Sequence, residues 1–545
     1  MFTYLHSYLP QTWAAQVSQG LVRKNDGIRF CQSIDIDEDL KFNNLAAIGG
    51  ELYNYVKENR CPLYIDRLQG GCFLEEYPYD MELVDEYRAI LGDKFWGFQM
   101  HEWGSNFCSD LRKITSNNCP EWTAEAITET IRRAYPFEHT FLEAMNAEEY
   151  EKLGGAPETH EELIGILQDL FSKRQAYVNG DLLPCDSYFQ AQKLEVDAGA
   201  KRIMPEVGAQ IPNTRIQIAY ARGMARAAGI PFGTYYEPWG GNPFSACCYH
   251  KDGKNEWNIS AESFPFKTAG GNGGSSRSLQ QRLHLYSYMA GAEFMSEEWG
   301  MCNTFFDWES FELTPYGQVK KDFLDFVDRY PNIGKPVIPV AVVLPKDMPI
   351  LDMDLSPSEY LRYKAEGAFA QKLAKISAVL KKLFVEADEM FGDETLILRN
   401  GLTPDAIDII HEDSPTVGDY PILVDCTGNS EFAEKYGDKI VSAEDVRGIL
   451  DENLPVSPDG GVSMQVTYNS ETDEYFVLLL NNRGVVRSVE NGEKFMPEGA
   501  INVGLTVADD RKICQLDGNG SISVGSDCCN VTIPSGGWVL AKIIK

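Results

Sequence analysis

Short apolar runs alternate with amphipathic helical stretches from the amino terminus to about residue 330. Eight of the runs read as buried strands, over residues 2–9, 27–33, 61–68, 95–101, 175–179, 202–206, 231–237 and 292–298. Helical periodicity follows over 37–59, 80–91, 213–228, 278–290 and 314–330. Strands two, three and four begin at residues 27, 61 and 95, the spacing of one strand-loop-helix-loop unit. Eight successive units predict a closed (β/α)8 TIM barrel over 1–334 rather than an open doubly wound sheet. The intervals 95–175 and 231–292 are stretched, leaving room for extra helices over the barrel and for a Gly- and Asn-rich loop beside its mouth. After Pro331 the pattern changes. A buried strand at 338–344 and a long helix over 356–384 introduce a small open α/β, Rossmann-like domain at 335–450. From 451 to 545, alternating strands at 462–468, 475–480, 500–507, 531–533 and 538–544 predict an antiparallel β-sandwich.

Three of the expected barrel strands end in related tripeptides. These are Glu102-Trp103-Gly104, Glu237-Pro238-Trp239-Gly240 with Pro inserted, and Glu298-Trp299-Gly300. A strand end carrying a carboxylate, an indole and a chain-turning Gly suits sugar chemistry. The carboxylate serves as acid, base or nucleophile, and the indole stacks on the apolar face of a pyranose. In this strand count Glu102 ends strand four and Glu237 ends strand seven. If strand 2–9 lay outside the barrel and 338–344 closed it, every index would drop by one. Glu297 or Glu298 would then pair with Asp181, in Asn179-Gly180-Asp181, as the alternative catalytic set.

Composition narrows the partners. The chain of 545 residues carries a net charge of −32, which disfavours nucleic acid and anionic membrane but not a neutral sugar. The 13 Cys show neither a C-x-x-C pair nor a Cys/His metal spacing, and the 7 His are not spaced as ligands. No metal and no cofactor are expected. No basic and apolar leader and no long apolar span is read, so a cytoplasmic location with reduced thiols is expected.

The strand-end pattern resembles the large clan of retaining TIM-barrel glycoside hydrolases. The succession of barrel, small α/β domain and sandwich is similar to family 42 β-galactosidases. The resemblance implies an acid/base at Glu102, a nucleophile at Glu237, a β-linked neutral hexose such as galactose as substrate, and a homo-oligomer, trimer or dimer. One departure is visible: the clan carries Asn before its acid/base Glu, where this chain has His101. Expected sugar contacts are His101, Trp103, Tyr236, Trp239, Trp299 and Asn242, with Arg67 holding the nucleophile ionised and His6 binding a hydroxyl. Glu206 is read as a third acid or a loop-start surface carboxylate. Two other functions fit the same residues. A catalytically silent carbohydrate-binding or assembly barrel would bind sugar without turnover, and a lyase would need a cation or a Tyr/His base beside the carboxylates.

Overall fold

The computed structural model describes residues 2–30, 41–66, 79–135, 142–208, 211–237, 276–298, 304–305, 309–387, 397–488, 492–508, 511–525 and 529–544. Eight parallel strands form its first sheet: β1 (Thr3–Tyr8), β2 (Gly27–Phe30), β3 (Leu63–Ile65), β4 (Phe95–His101), β5 (Leu182–Cys185), β6 (Glu206–Gly208), β7 (Gly233–Glu237) and β8 (Phe294–Glu297). Their order is β5-β4-β3-β2-β1-β8-β7-β6. At the seam the Glu206 N–H donates to the Asp186 carbonyl at 3.0 Å, so the sheet is a nearly closed TIM-type barrel. A helix follows each strand: α1 (Pro10–Ser18), α2 (Glu51–Asn59), α3 (Met81–Leu91), α4 (Trp103–Ser116), α5 (Gln192–Asp197), α6 (Thr214–Ala228), α7 (Arg277–Met289) and α8 (Pro315–Arg329).

The shifted strand count is overturned. Leu5 on β1 pairs with Gly27 of β2 and with Ser296 of β8, so β1 is a barrel stave. The strand that would have replaced it, β9 (Val340–Leu344), pairs in parallel with β10 (Ile407–His411) and β11 (Ile422–Asp425) in a separate sheet. Glu102 therefore follows the fourth barrel strand, and Glu237 ends the seventh.

One strand was misplaced along the chain. Residues 175–177 close the helix His160–Tyr177, and Asn179 and Gly180 turn the chain with φ of 57° and 81°. The true β5 contains Pro184, which reads as a strand breaker. It is tolerated because β5 stands at the seam, where only one neighbour needs its backbone groups.

The direction in which β4 aims its side chains depends on a bulge. Trp96 packs against the pore-filling residues Leu5, Tyr64, Leu183, Met204, Tyr235 and Phe294. By alternation Phe98 would also face inward, but the register shifts between Leu63 and Tyr64, and Phe98 joins the outer core instead. Gly97 absorbs the extra residue with φ +85°. A Cβ there would lie 1.8 Å from the Asp181 carbonyl oxygen, so only glycine fits. The bulge restores Gln99 and His101 to the pore side.

Beyond the barrel, β9, β10 and β11 make a three-stranded parallel sheet. The helix expected over 356–384 begins at Gly367, because Glu359–Tyr360 and Tyr363–Lys364 pair as a short hairpin. Antiparallel sheets of five and four strands follow, with Val477, Leu479, Val503, Val531 and Leu540 among their buried residues. Two barrel helices tie these parts down. On α6, Arg215 and Arg222 donate to Asp405 and Asp408 beside and within β10. On α7, Arg282 donates to Asn482 Oδ1 at 2.7 Å and to the Gly536 carbonyl at 2.8 Å.

Candidate active site

The carboxyl ends of β4 to β8 gather acidic side chains over the pore. His101 is the last residue of β4, and Glu102 bends the chain into α4 with φ +46° and ψ 30°. That left-handed backbone is costly for a residue with a Cβ, on the order of 1–3 kcal/mol, and such conformations concentrate at functional sites. Two backbone bonds hold it: the Glu102 N–H donates to the Cys185 carbonyl at 2.5 Å, and the Asn106 N–H donates to the Glu102 carbonyl at 2.7 Å. The Ser187 hydroxyl donates to Glu102 Oε1 at 2.8 Å. Gly104 completes the turn. A Cβ there would come within 2.8 Å of Asp186 Oδ2, so the glycine of the motif makes room for a neighbouring carboxylate.

His101 is the hub of the cluster. Its Nε2 lies 3.2 Å from Glu206 Oε1 and 3.6 Å from Glu298 Oε1, and its Nδ1 lies 3.9 Å from Glu102 Oε2. Glu206, Glu237 and Glu298 are all buried, whereas Glu102 keeps 31% of its side chain exposed to solvent. Burial pushes the Glu206 carboxyl well above the usual range, and Glu102, Glu298 and Glu237 push it further the same way. Glu102 is the nearest of these in effect, the first charge after burial in raising Glu206. Asp186, on the chain just past β5, is raised by burial and by Glu195 and Glu102. The Tyr188 hydroxyl is also raised, by burial and then by Glu237 and Glu102, so both strand-end carboxylates bear on one phenol.

The layer beneath is polar and neutralised. Arg29 Nη2 donates to Asp66 Oδ2 at 2.5 Å, and Arg29 Nη1 donates to the Ser7 hydroxyl at 3.1 Å and the Glu297 carbonyl at 3.2 Å. Its guanidinium stands over the Tyr235 ring, 5.3 Å from the centroid. Sequence reading assigned the supporting cation to Arg67, which lies outside the described residues. Arg29 went unnoticed because nothing in Gly-Ile-Arg-Phe marks it as pore-facing.

The predicted site residues divide. Glu102, Glu237, Glu298 and His101 come together with Glu206, here a buried member of the cluster. Glu297 points the other way, toward α8, where Lys320 donates to its Oε1 at 2.5 Å. Burial works to raise the Glu297 carboxyl, but Lys320, His284 and His6 outweigh it and hold it low. His6 also faces outward, with Nε2 3.0 Å from Asp26 Oδ2. Tyr236 packs edge-on against His284, at 5.1 Å between ring centroids. Trp103 is fully buried behind the cluster, leaning on Phe171 and donating its indole N–H to Glu195 Oε1 at 3.2 Å. Burial raises Glu195 to about 8. Asp181 sits at the opposite, amino end of β5, taking hydrogen bonds from Arg88 and Lys201 at 2.7 Å each. Trp239, Asn242 and Trp299 lie outside the described residues. Asp186, Ser187 and Tyr188 escaped the sequence reading because the strand they follow was placed too early.

One arrangement runs against the expectation of no metal. A nitrogen of His101, the sulfur of Cys185 and a carboxylate oxygen of Glu206 all lie within 4.8 Å of one another, and all three residues are buried.

No protein-family model matches the chain, and no curated protein matches it in sequence. Among solved structures it is similar to an α-L-fucosidase isoenzyme 2 from Paenibacillus thiaminolyticus, at 9% identity over 99% of each chain with a TM-score of 0.44. It is also similar to the catalytic module of a family 98 glycoside hydrolase from Streptococcus pneumoniae, at 10% identity over 99% of this chain and 98% of that one, TM-score 0.43. A third is a β-galactosidase from the Antarctic haloarchaeon Halorubrum lacusprofundi, at 10% identity over 99% of this chain and 98% of that one, TM-score 0.41.

Proposed function

We propose that this protein hydrolyses a glycosidic bond with two strand-end carboxyls, Glu102 as acid/base and Glu237 as nucleophile. The observation that carries the reading is that Glu102 follows β4 and Glu237 ends β7 at the carboxyl end of a nearly closed barrel, with His101 gathering Glu102, Glu206 and Glu298 there. Glu102 keeps a solvent-exposed face while Ser187 orients its Oε1, which suits a group that must give a proton to a leaving oxygen and then take one from water. Glu237 attacks the anomeric carbon from the other side and leaves as the glycosyl-enzyme is hydrolysed. Glu298 and His101 then serve as hydroxyl ligands, His101 occupying the position where a clan member carries Asn. The proposed substrate is a β-linked neutral hexose such as a galactoside.

A panel of aryl glycosides tests this. The expected outcome is cleavage of at least one, with retained anomeric configuration by NMR. Glu102→Gln should lower kcat by about 10²–10⁴-fold on a poor leaving group. Glu237→Gln should abolish the glycosyl-enzyme seen by mass spectrometry with a slow substrate. Near-normal turnover in Glu237→Gln would refute the assignment. Sugar binding without turnover of any glycoside would favour a carbohydrate-binding barrel.

A further inference from the structure

We infer that His101, Cys185 and Glu206, with Glu298 beside them, form a site for one zinc-like divalent cation at the floor of the carboxylate cluster. The donor set is mixed imidazole, thiolate and carboxylate, the combination that borderline-soft divalent ions prefer and that hard Mg²⁺ or Ca²⁺ do not. The three residues arrive from three staves of the barrel, β4, β5 and β6, so the scaffold rather than a flexible loop fixes their separation. A tetrahedral zinc with bonds of about 2.0–2.1 Å to nitrogen and oxygen has ligand-to-ligand edges of roughly 3.3 Å. The observed His101 Nε2 distances of 3.2 Å to Glu206 and 3.6 Å to Glu298 bracket that edge. Cys185 Sγ lies within 4.8 Å of the other two ligand atoms.

Glu206 supplies an independent reason. Its Oε2 is buried and takes no hydrogen bond from a donor group among the described residues. Binding would exchange the Cys185 thiol proton and the Glu206 carboxyl proton for the metal, releasing both to buffer. The imidazole would bind through Nε2 and carry its proton on Nδ1, the atom that faces Glu102 Oε2 at 3.9 Å. A metal-bound histidine commonly donates this second N–H to a carboxylate. The cation would thus orient Glu102 through His101 without touching it. The inference stands on ligand geometry, and an occupied site would take His101 Nε2 and Glu298 away from the hydroxyl contacts proposed above.

The test is titration of the full chain, freed of metal by chelator, with Co²⁺ alone. The expected result is one Co²⁺ bound per chain, with a near-ultraviolet thiolate-to-cobalt band that Zn²⁺ abolishes. The band should vanish in Cys185→Ser and persist in Cys426→Ser, a buried thiol of the parallel-sheet region. Because Cys185→Ser could fail to fold, His101→Gln is measured alongside, and it should weaken Co²⁺ binding at least 10-fold. Absence of a thiolate band, its survival in Cys185→Ser, or unchanged affinity in His101→Gln would overturn the site. None of these readouts uses sugar turnover, so failure here leaves the proposed hydrolysis standing, and the reverse.

Discussion

Glu297 and Glu298 are adjacent in sequence and almost equally buried, at 1% and 2% exposure, yet they belong to opposite electrostatic worlds. The pleat of β8 sends Glu297 toward α8, into a compensated network. Lys320 pairs with it and lies 5.0 Å from the centroid of the Tyr4 ring, and Asp26 nearby is matched by His6 and Arg23. Glu298 faces the pore, where the carboxyl groups of Glu102, Glu206 and Glu298 crowd one imidazole, that of His101. Burial alone therefore does not mark function. Balanced charge marks a structural ion pair, whereas like charges forced together mark a site arranged to hold protons, a cation or a developing positive centre.

Breaking the compensated side should have the largest effect on stability. Lys320→Met leaves the Glu297 carboxylate buried without its cation and should cost about 3–5 kcal/mol in urea unfolding. Adding Glu297→Gln to that variant should recover most of the loss. A cost below about 1 kcal/mol for Lys320→Met would show that the pair contributes little.

Acid and base should separate the two kinds of carboxyl next. Glu297 is held below its ordinary value, so its stabilising contribution is present above about pH 4.5 and lost as pH falls through its folded value. Glu195 has the opposite sign. Its folded value of about 8 means its contribution is complete below about pH 4.5 and drains away as pH rises toward 8. Between those limits the slope it adds is about −1.4 kcal/mol per pH unit. Unfolding free energies across that range should fall less steeply in Glu195→Gln than in the parent chain. Equal slopes would contradict a protonated Glu195.

The smallest effect should come from the neighbour. Glu298→Gln removes one of several like charges, so stability should change by no more than about 1 kcal/mol, and upward if at all. A loss comparable with that of Lys320→Met would mean that Glu298 is as firmly compensated as Glu297, and the contrast would fail.

The chain itself determined the eightfold alternation, but its ordinal count stayed open to a shift by one until β1 paired with β2 and β8, which fixed that Glu102 follows the fourth strand and Glu237 ends the seventh. Phe95–His101 and Trp538–Ile544 were legible to the residue, because apolar periodicity is a local property of the backbone. Which face of a strand looks into the pore was not legible. That depends on the bulge at Gly97, on where β5 starts despite Pro184, and on closure at β6, all settled by neighbouring strands rather than by the residues of one. For the same reason Glu297 and Glu298 looked equivalent, and Trp103 looked like a sugar platform until α4 folded its indole against Glu195. The meeting of residues 101, 185 and 206 has no spacing signature at all. Staves far apart in sequence become neighbours only when the cylinder closes, so the chain could supply the ligands while only the closed barrel could bring them together.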